Sequence, residues 1–160
     1  MGGWRDSVMG ALVEEYKYQS VREMGPVLAE IIDEKMPVVL GEVVVVPLPT
    51  IRKHVRQRGL DHTLIVAREL ARRRGWKCEQ ILERRANTVQ VGASASERLR
   101  QAERAYGVRP GVKLRPEVTY ILYDDVWTTG ASMLAAGELL REAGAEKVMA
   151  AVAAVSRRSD

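Results

Sequence analysis

The run from Glu42 to Pro47, Glu-Val-Val-Val-Val-Pro, constrains the fold more than any other stretch of the chain. Four β-branched residues in succession favour a strand and leave it no polar face. Such a strand must be covered by helices on both sides, as in a parallel sheet. The rest of the chain supplies the matching parts. Leu60, Leu64, Ala67, Leu70 and Ala71 mark a helix face that Gly75 ends, and Cys78 to Leu82 reads as a short strand. Val118 to Tyr123 is a further strand. Ala131 to Ala143 is a helix with Leu134, Ala135, Leu139 and Ala143 on one side, and Lys147 to Val155 is a strand of small residues. This alternation predicts an α/β fold, a central and mostly parallel sheet flanked by helices and joined by right-handed crossovers. Ahead of it, residues 1–35 read as helical. Trp4, Val8, Leu12 and Tyr16 recur every four residues, and Val21, Met24, Leu28 and Ile31 form a second stripe, with Gly25 and Pro26 marking a break or restart. A length of 160 residues fits one domain over 1–160.

Several function classes drop out on composition. No apolar run approaches the roughly 18 residues of a membrane span, and the start lacks the basic and apolar regions of a signal peptide. Asp6 stands where a myristoylation pattern needs Ser or Thr, so a cytoplasmic protein without a membrane partner is expected. One cysteine and two histidines cannot form an intramolecular disulfide or a zinc finger. Cys78 is read as structural, and His54 and His62, which nothing in the sequence places against an acceptor, as bystanders.

Charge is unevenly spread. Residues 50–115 hold 17 Lys and Arg against 6 Asp and Glu, whereas the remainder holds 8 against 15, so a basic middle is built to meet anions. Arg72, Arg73 and Arg74 are accounted for by the end of a helix, where cations suit the dipole and face water. Arg52, Lys53, Arg56 and Arg58 are not, since they lie in a short segment between a strand and a helix. Residues 84–117 are polar, basic and too long for an ordinary connection, and are read as a flexible lid. A capping box, Ser94 with Glu97, predicts a solvated helix over 94–105 within it.

The chemistry concentrates between Tyr120 and Ser132. Asp124 and Asp125 close an apolar strand, and Val126, Trp127, Thr128, Thr129, Gly130, Ala131 and Ser132 then open a helix. In an open α/β sheet, ligands bind beyond the carboxyl ends of the strands. A glycine that admits close backbone approach, three hydroxyls and a helix start make a phosphate cradle, while adjacent carboxylates suit sugar hydroxyls or a magnesium ion. Neither a P-loop nor a dinucleotide-binding glycine motif occurs.

This stretch resembles the phosphoribosyl-pyrophosphate (PRPP) signature of type I phosphoribosyltransferases. Further stretches resemble the ComF family, the competence-associated branch. These are Val46-Pro47-Leu48-Pro49 followed by Arg58-Gly59; Arg85, Thr88, Gln90 and Arg98 in an R-x-x-T-x-Q pattern with a downstream Arg; and Tyr16-Lys17-Tyr18. The sequence departs from that family in lacking its N-terminal cysteine-rich zinc-binding segment, and in carrying Leu60-Asp61-His62 where Phe-Asn-Gln is usual. The resemblance implies the type I phosphoribosyltransferase fold, PRPP or ribose 5-phosphate as ligand and Mg2+ as cofactor. It assigns the 5-phosphate to Thr128–Ser132 and the ring hydroxyls to Asp124 and Asp125, with metal contact there direct or through water. The diphosphate falls to Pro47, Leu48, Pro49, Thr50, Arg58 and Gly59. Arg58, Arg85, Arg98 and Asp125 are the catalytic candidates, and Arg85, Thr88, Gln90 and Arg98 belong to the lid. The resulting expectation is a PRPP-dependent transferase of unassigned acceptor, with a homo-oligomer left open. Its alternative is a non-catalytic module of the same fold that binds single- or double-stranded DNA in competence, beside a helicase-like partner in DNA uptake.

Overall fold

The computed structural model describes residues 24–85 and 104–155. Its elements in chain order are α1 (Met24–Lys35), β1 (Val43–Pro47), α2 (Arg52–Arg58), α3 (His62–Arg74), β2 (Lys77–Cys78), β3 (Leu82–Arg84), β4 (Tyr106–Val108), β5 (Thr119–Trp127), α4 (Ala131–Glu142) and β6 (Lys147–Val155). Four strands form a parallel sheet in the order β2-β1-β5-β6, and β3 pairs with β4 antiparallel in a separate ribbon. This is the predicted α/β architecture.

The four valines of β1 are all buried and serve two cores in alternation. Val43 and Val45 join Ile121 and Tyr123 under α1 and α3, packing with Leu28, Ile32, Val66 and Leu70. Val44 and Val46 join Tyr120 and Leu122 under α4 and the ribbon, packing with Met133, Leu140, Leu82 and Tyr106. A period-2 backbone with an apolar residue at every position thus supplies both faces of a three-layer domain.

Several boundaries differ from the sequence reading. The segment 52–58 is a seven-residue helix, α2, closed by Gly59 in the left-handed conformation at φ 72°. Helix α3 starts at His62, because the Asp61 side chain accepts the Leu64 N–H at 3.3 Å and so sets the first turn. Its buried face is accordingly Thr63, Val66, Ala67, Leu70 and Ala71, with Leu60 and Leu64 half-buried. The span 78–82 is not one strand but the end of β2 and the start of β3, which lie in different sheets. Strand β5 runs on to Trp127, because β6 continues beside it, Trp127 standing opposite Val155.

Arg72–Arg74 do more than face water. Arg72 pairs with Glu69 at 2.7 Å, and Arg73 reaches Glu30 and Asp33. Arg74 binds the Asp33 carboxylate and donates to the main-chain carbonyls of Asp33, Met36 and Pro37, so that it caps the end of α1. The excursion 84–117 also has fixed ends. Ala105 and Tyr106 are buried, β4 is hydrogen-bonded to β3, and Arg85 N–H donates to Ala105 O at 2.8 Å. Its polar composition concealed this anchor because the buried residues there, Ala105, Tyr106 and Gly107, are few and include no aliphatic run. The expected helix over 94–105 falls almost wholly outside the described residues, as does most of 1–35.

Burial pushes the Cys78 thiol up to about 11. A raised value keeps it protonated at neutral pH, and only the thiolate is nucleophilic. Alkylation by iodoacetamide at pH 8, followed by mass spectrometry, should run at least tenfold slower in the folded than in the unfolded chain, and should still be rising above pH 9; equal rates would contradict the buried placement.

Candidate active site

Two loops meet at the carboxyl edge of the sheet, and the strand register brings them together. Strand β1 ends at Pro47, opposite Tyr123, and the Leu48 N–H then donates to Tyr123 O at 2.8 Å. Beyond this point β5 continues for four residues with, among the described residues, only β6 paired beside it, Asp124 opposite Val152 and Val126 opposite Ala154. The acidic pair therefore stands on a step in the sheet, next to the loop 47–50. Asp124 is half-buried and its Oδ1 accepts the Asp125 N–H at 2.8 Å. Asp125 is only 5% exposed and accepts the Tyr123 hydroxyl at 3.4 Å. His62 and Thr63, at the start of α3, are buried polar residues as well, and the Thr63 hydroxyl lies 3.4 Å from that of Thr50.

After Trp127 the chain turns through Thr128 and Thr129 into Gly130, the N-cap of α4, at φ 75°. Gly130 provides no side-chain cap, and the Thr129 hydroxyl accepts the Ala131 N–H at a long 3.4 Å. The first-turn N–H groups of α4 therefore point out of the helix with the positive end of its dipole, which is the electrostatic form of an oxyanion seat. The Trp127 indole closes over Gly130, where a Cβ would collide with the ring.

A cleft of about 320 Å³ is walled in part by the 47–50 loop. Its walls are Pro47–Thr50, the α2 residues Arg52, Val55 and Arg56, Asp61, Gln80, and the ribbon side formed by Leu82, Glu83, Arg84 and Arg109. None of residues 124–132 lines it. Thr50 donates its hydroxyl to Asp61 Oδ1 at 3.1 Å, fixing the loop to the start of α3. The guanidinium of Arg84 lies 5.1 Å over the Tyr106 ring and donates to its hydroxyl at 2.9 Å.

The sequence-predicted residues thus divide. Pro47–Thr50, Asp124 and Asp125 are brought to one edge, and Val126–Ser132 follows directly. Gly59 closes α2 beside them in sequence, and the side chain of Arg58 lies outside the described residues. Arg85 sits at the end of the ribbon, exposed, paired with Glu83 at 3.5 Å and laid across Gly107. Thr88, Gln90 and Arg98 lie outside the described residues. Arg84 and Arg109 were missed as site residues. The only signal was the pairing implied by Tyr106, which holds Arg84 in place from 22 residues away.

No family model and no curated protein matches the sequence. Solved structures do match. A structure described as the allosteric regulatory enzyme of purine biosynthesis aligns at TM-score 0.59 with 19% identity, over 88% of this chain. The fold is that of the type I phosphoribosyltransferases. Glutamine PRPP amidotransferase from B. subtilis, complexed with ADP and GMP, aligns at TM-score 0.58 with 19% identity over 88% of this chain. In both cases the chain spans 30% of the neighbour's length. Among the described residues no helix is long and apolar enough to cross a membrane.

Gly130→Ala tests the loop. A left-handed backbone costs a non-glycine residue about 1–2 kcal/mol, and the new methyl must displace Trp127. The expected result is a Tm lowered by roughly 2–8 °C together with a changed near-ultraviolet tryptophan signal. An unaltered spectrum and Tm would show that the indole does not close over this glycine.

Proposed function

We propose that the protein is a phosphoribosyltransferase that takes PRPP with Mg2+ and transfers the phosphoribosyl group to an acceptor with release of diphosphate. The observation that carries this reading is the Leu48–Tyr123 hydrogen bond at the end of the β1–β5 ladder. It sets a glycine-opened helix start and a second loop on either side of two carboxylates, which matches a sugar with a phosphate at each end. On this reading the N–H groups and hydroxyls of Thr128–Ser132 take the 5-phosphate, Asp124 takes the ring hydroxyls, and Asp125 braces the strand beneath it. Pro47–Thr50, Arg58 and Gly59 take the diphosphate.

The donor set fits a substrate-borne metal. Asp124 offers carboxylate oxygens, with Asp125 behind it able to act through water, whereas among the described residues no cluster of three or more His, Cys, Asp or Glu could hold an ion alone. Magnesium typically keeps waters and binds through one or two carboxylates plus substrate phosphates. When bound it neutralises the charge that gathers on the departing diphosphate. The bond from C1 to the diphosphate oxygen breaks as the bond from C1 to the acceptor forms, and the ring carbon is cation-like between the two. The work of the chain is to hold both phosphate ends, place Arg58 at the leaving group, and exclude water through Arg85 and Arg98 on the lid. An acceptor other than a 6-oxopurine is favoured, because purine-salvage relatives carry Asp where Thr128 stands.

The likeness to ComF supports a cytoplasmic role in competence beside a helicase-like partner. The arginine-lined cleft favours, as second reading, a non-catalytic module that binds DNA. Calorimetry with PRPP and ribose 5-phosphate in magnesium, followed by diphosphate release across nucleobases, amines and nucleotides, separates the two. No heat at millimolar sugar phosphate removes the transferase, and salt-sensitive DNA binding without diphosphate release supports the module.

Asp124→Asn should weaken ribose 5-phosphate about tenfold, since a charge-assisted hydrogen bond is worth about 1.5 kcal/mol or more. Unchanged affinity would move the sugar elsewhere.

Arg85→Ala and Arg98→Ala should lower kcat about thirtyfold with little effect on PRPP affinity, because contacts made only on closure act on the transition state. Parent-like turnover in both variants would show that the excursion is not a catalytic lid.

A further inference from the structure

We propose that Asp61 is a positioning residue for the proposed transfer, holding the diphosphate loop in place through the hydroxyl of Thr50. The inference rests on that functional reading and adds to it a residue at the start of α3, outside both ligand-binding loops.

The segment from Pro49 to Leu60 is weakly anchored by packing. Helix α2 has no extensive contact with any other element, and four of its seven residues are Arg or Lys. Proline on either side of Leu48 stiffens the entry by fixing φ, and the Leu48 N–H is tied to Tyr123 O at 2.8 Å. After that point, among the described residues, the Thr50 side chain makes the only hydrogen bonds that leave the segment. Its hydroxyl lies 3.1 Å from Asp61 Oδ1 and 3.4 Å from the hydroxyl of buried Thr63.

Asp61 can serve as an anchor because it is itself held. The same Oδ1 accepts the Leu64 N–H at 3.3 Å, which makes Asp61 the N-cap of a 13-residue helix whose inner face lies in the core. One carboxylate oxygen thus joins a loosely packed loop to a firmly packed helix. A hydroxyl engaged by Asp61 is not free to serve a ligand. The main-chain N–H groups of Thr50 and Ile51, which have no acceptor among the described residues, are then what this stretch offers a diphosphate. Donors fixed before the ligand arrives avoid the cost of ordering a loop on binding.

The test separates the cap from the strap. Serine caps a helix about as well as aspartate but is one bond short of Thr50, and Thr50→Val removes the hydroxyl at nearly constant shape. Calorimetry on the full chain in magnesium, with PRPP and ribose 5-phosphate as probes, is expected to show PRPP weakened about fivefold by Asp61→Ser and by Thr50→Val, the range of one hydrogen bond. Ribose 5-phosphate, which lacks the diphosphate, should stay within about twofold of the parent. The double variant should be no weaker than either single one, and Asp61→Asn and Thr50→Ser, which keep the hydrogen bond, should bind PRPP as the parent does. The proposal is overturned if PRPP affinity is unchanged in both single variants, if ribose 5-phosphate weakens equally, if the two effects multiply, or if Asp61→Asn falls as far as Asp61→Ser. A parent that binds neither sugar phosphate removes the proposed function and this role together, whereas a parent that binds both, with variants that match it, removes this role alone.

Discussion

Everything at the functional edge depends on the parallel pairing of β1 with β5. The two strands run side by side for five residues, from Val43 opposite Thr119 to Pro47 opposite Tyr123, and then part company. Proline suits the exit, because it fixes φ and has no N–H to continue the ladder. One strand ends and its neighbour goes on, so the edge has a step, and a step is where a carboxylate can emerge from a sheet otherwise apolar on both faces. Asp124 and Asp125 occupy that step, flanked by β6 on one side and the 47–50 loop on the other. The valine run thus does two things: it fills both cores, and by stopping at Pro47 it exposes the neighbouring strand.

The layers and their order were readable because the apolar signal is long and regular in β1, β5 and α4. The fold class follows from Glu42–Pro47 and the alternation after it, and the loop at 124–132 stands out because acids and hydroxyls rarely follow so apolar a strand. Boundaries were less readable where pairing partners decide them. Strand β5 outlasts its apolar run since β6 supplies hydrogen bonds as far as Val155, and the polar residues Asp124 and Asp125 carry no sign of that support. Helix α2 has four basic residues in seven and no apolar stripe, so no periodicity announces it. Arg84 could not be placed in a cleft without Tyr106, whose ring reaches it across an antiparallel ribbon.

The arginines of the basic middle divide between two kinds of work, and composition cannot tell them apart. Arg74 is used up by the structure: it satisfies the carbonyl end of α1 and stacks 5.3 Å from Trp76, joining two helices that cover the same face of the sheet. Arg115 and Lys77 likewise both bind Glu42 at the start of β1, and the Arg115 guanidinium holds that carboxyl below the usual range. Arg52, Arg56, Arg84 and Arg109 are of the other kind, and they gather around one cleft. Geometry therefore turns a diffuse positive charge into a directed one.

The β3–β4 ribbon has a consequence for how this sequence can change. Its three residue pairs and the Arg85–Ala105 hydrogen bond bring residues 85 and 105 together. Closing a loop of any length at that point costs free energy that rises only with the logarithm of its length, about 0.6 kcal/mol for each doubling. In closure entropy alone, a change of length between these residues therefore costs the sheet little. The ribbon acts as a socket, and a new specificity could be fitted there without redesigning the domain that carries it.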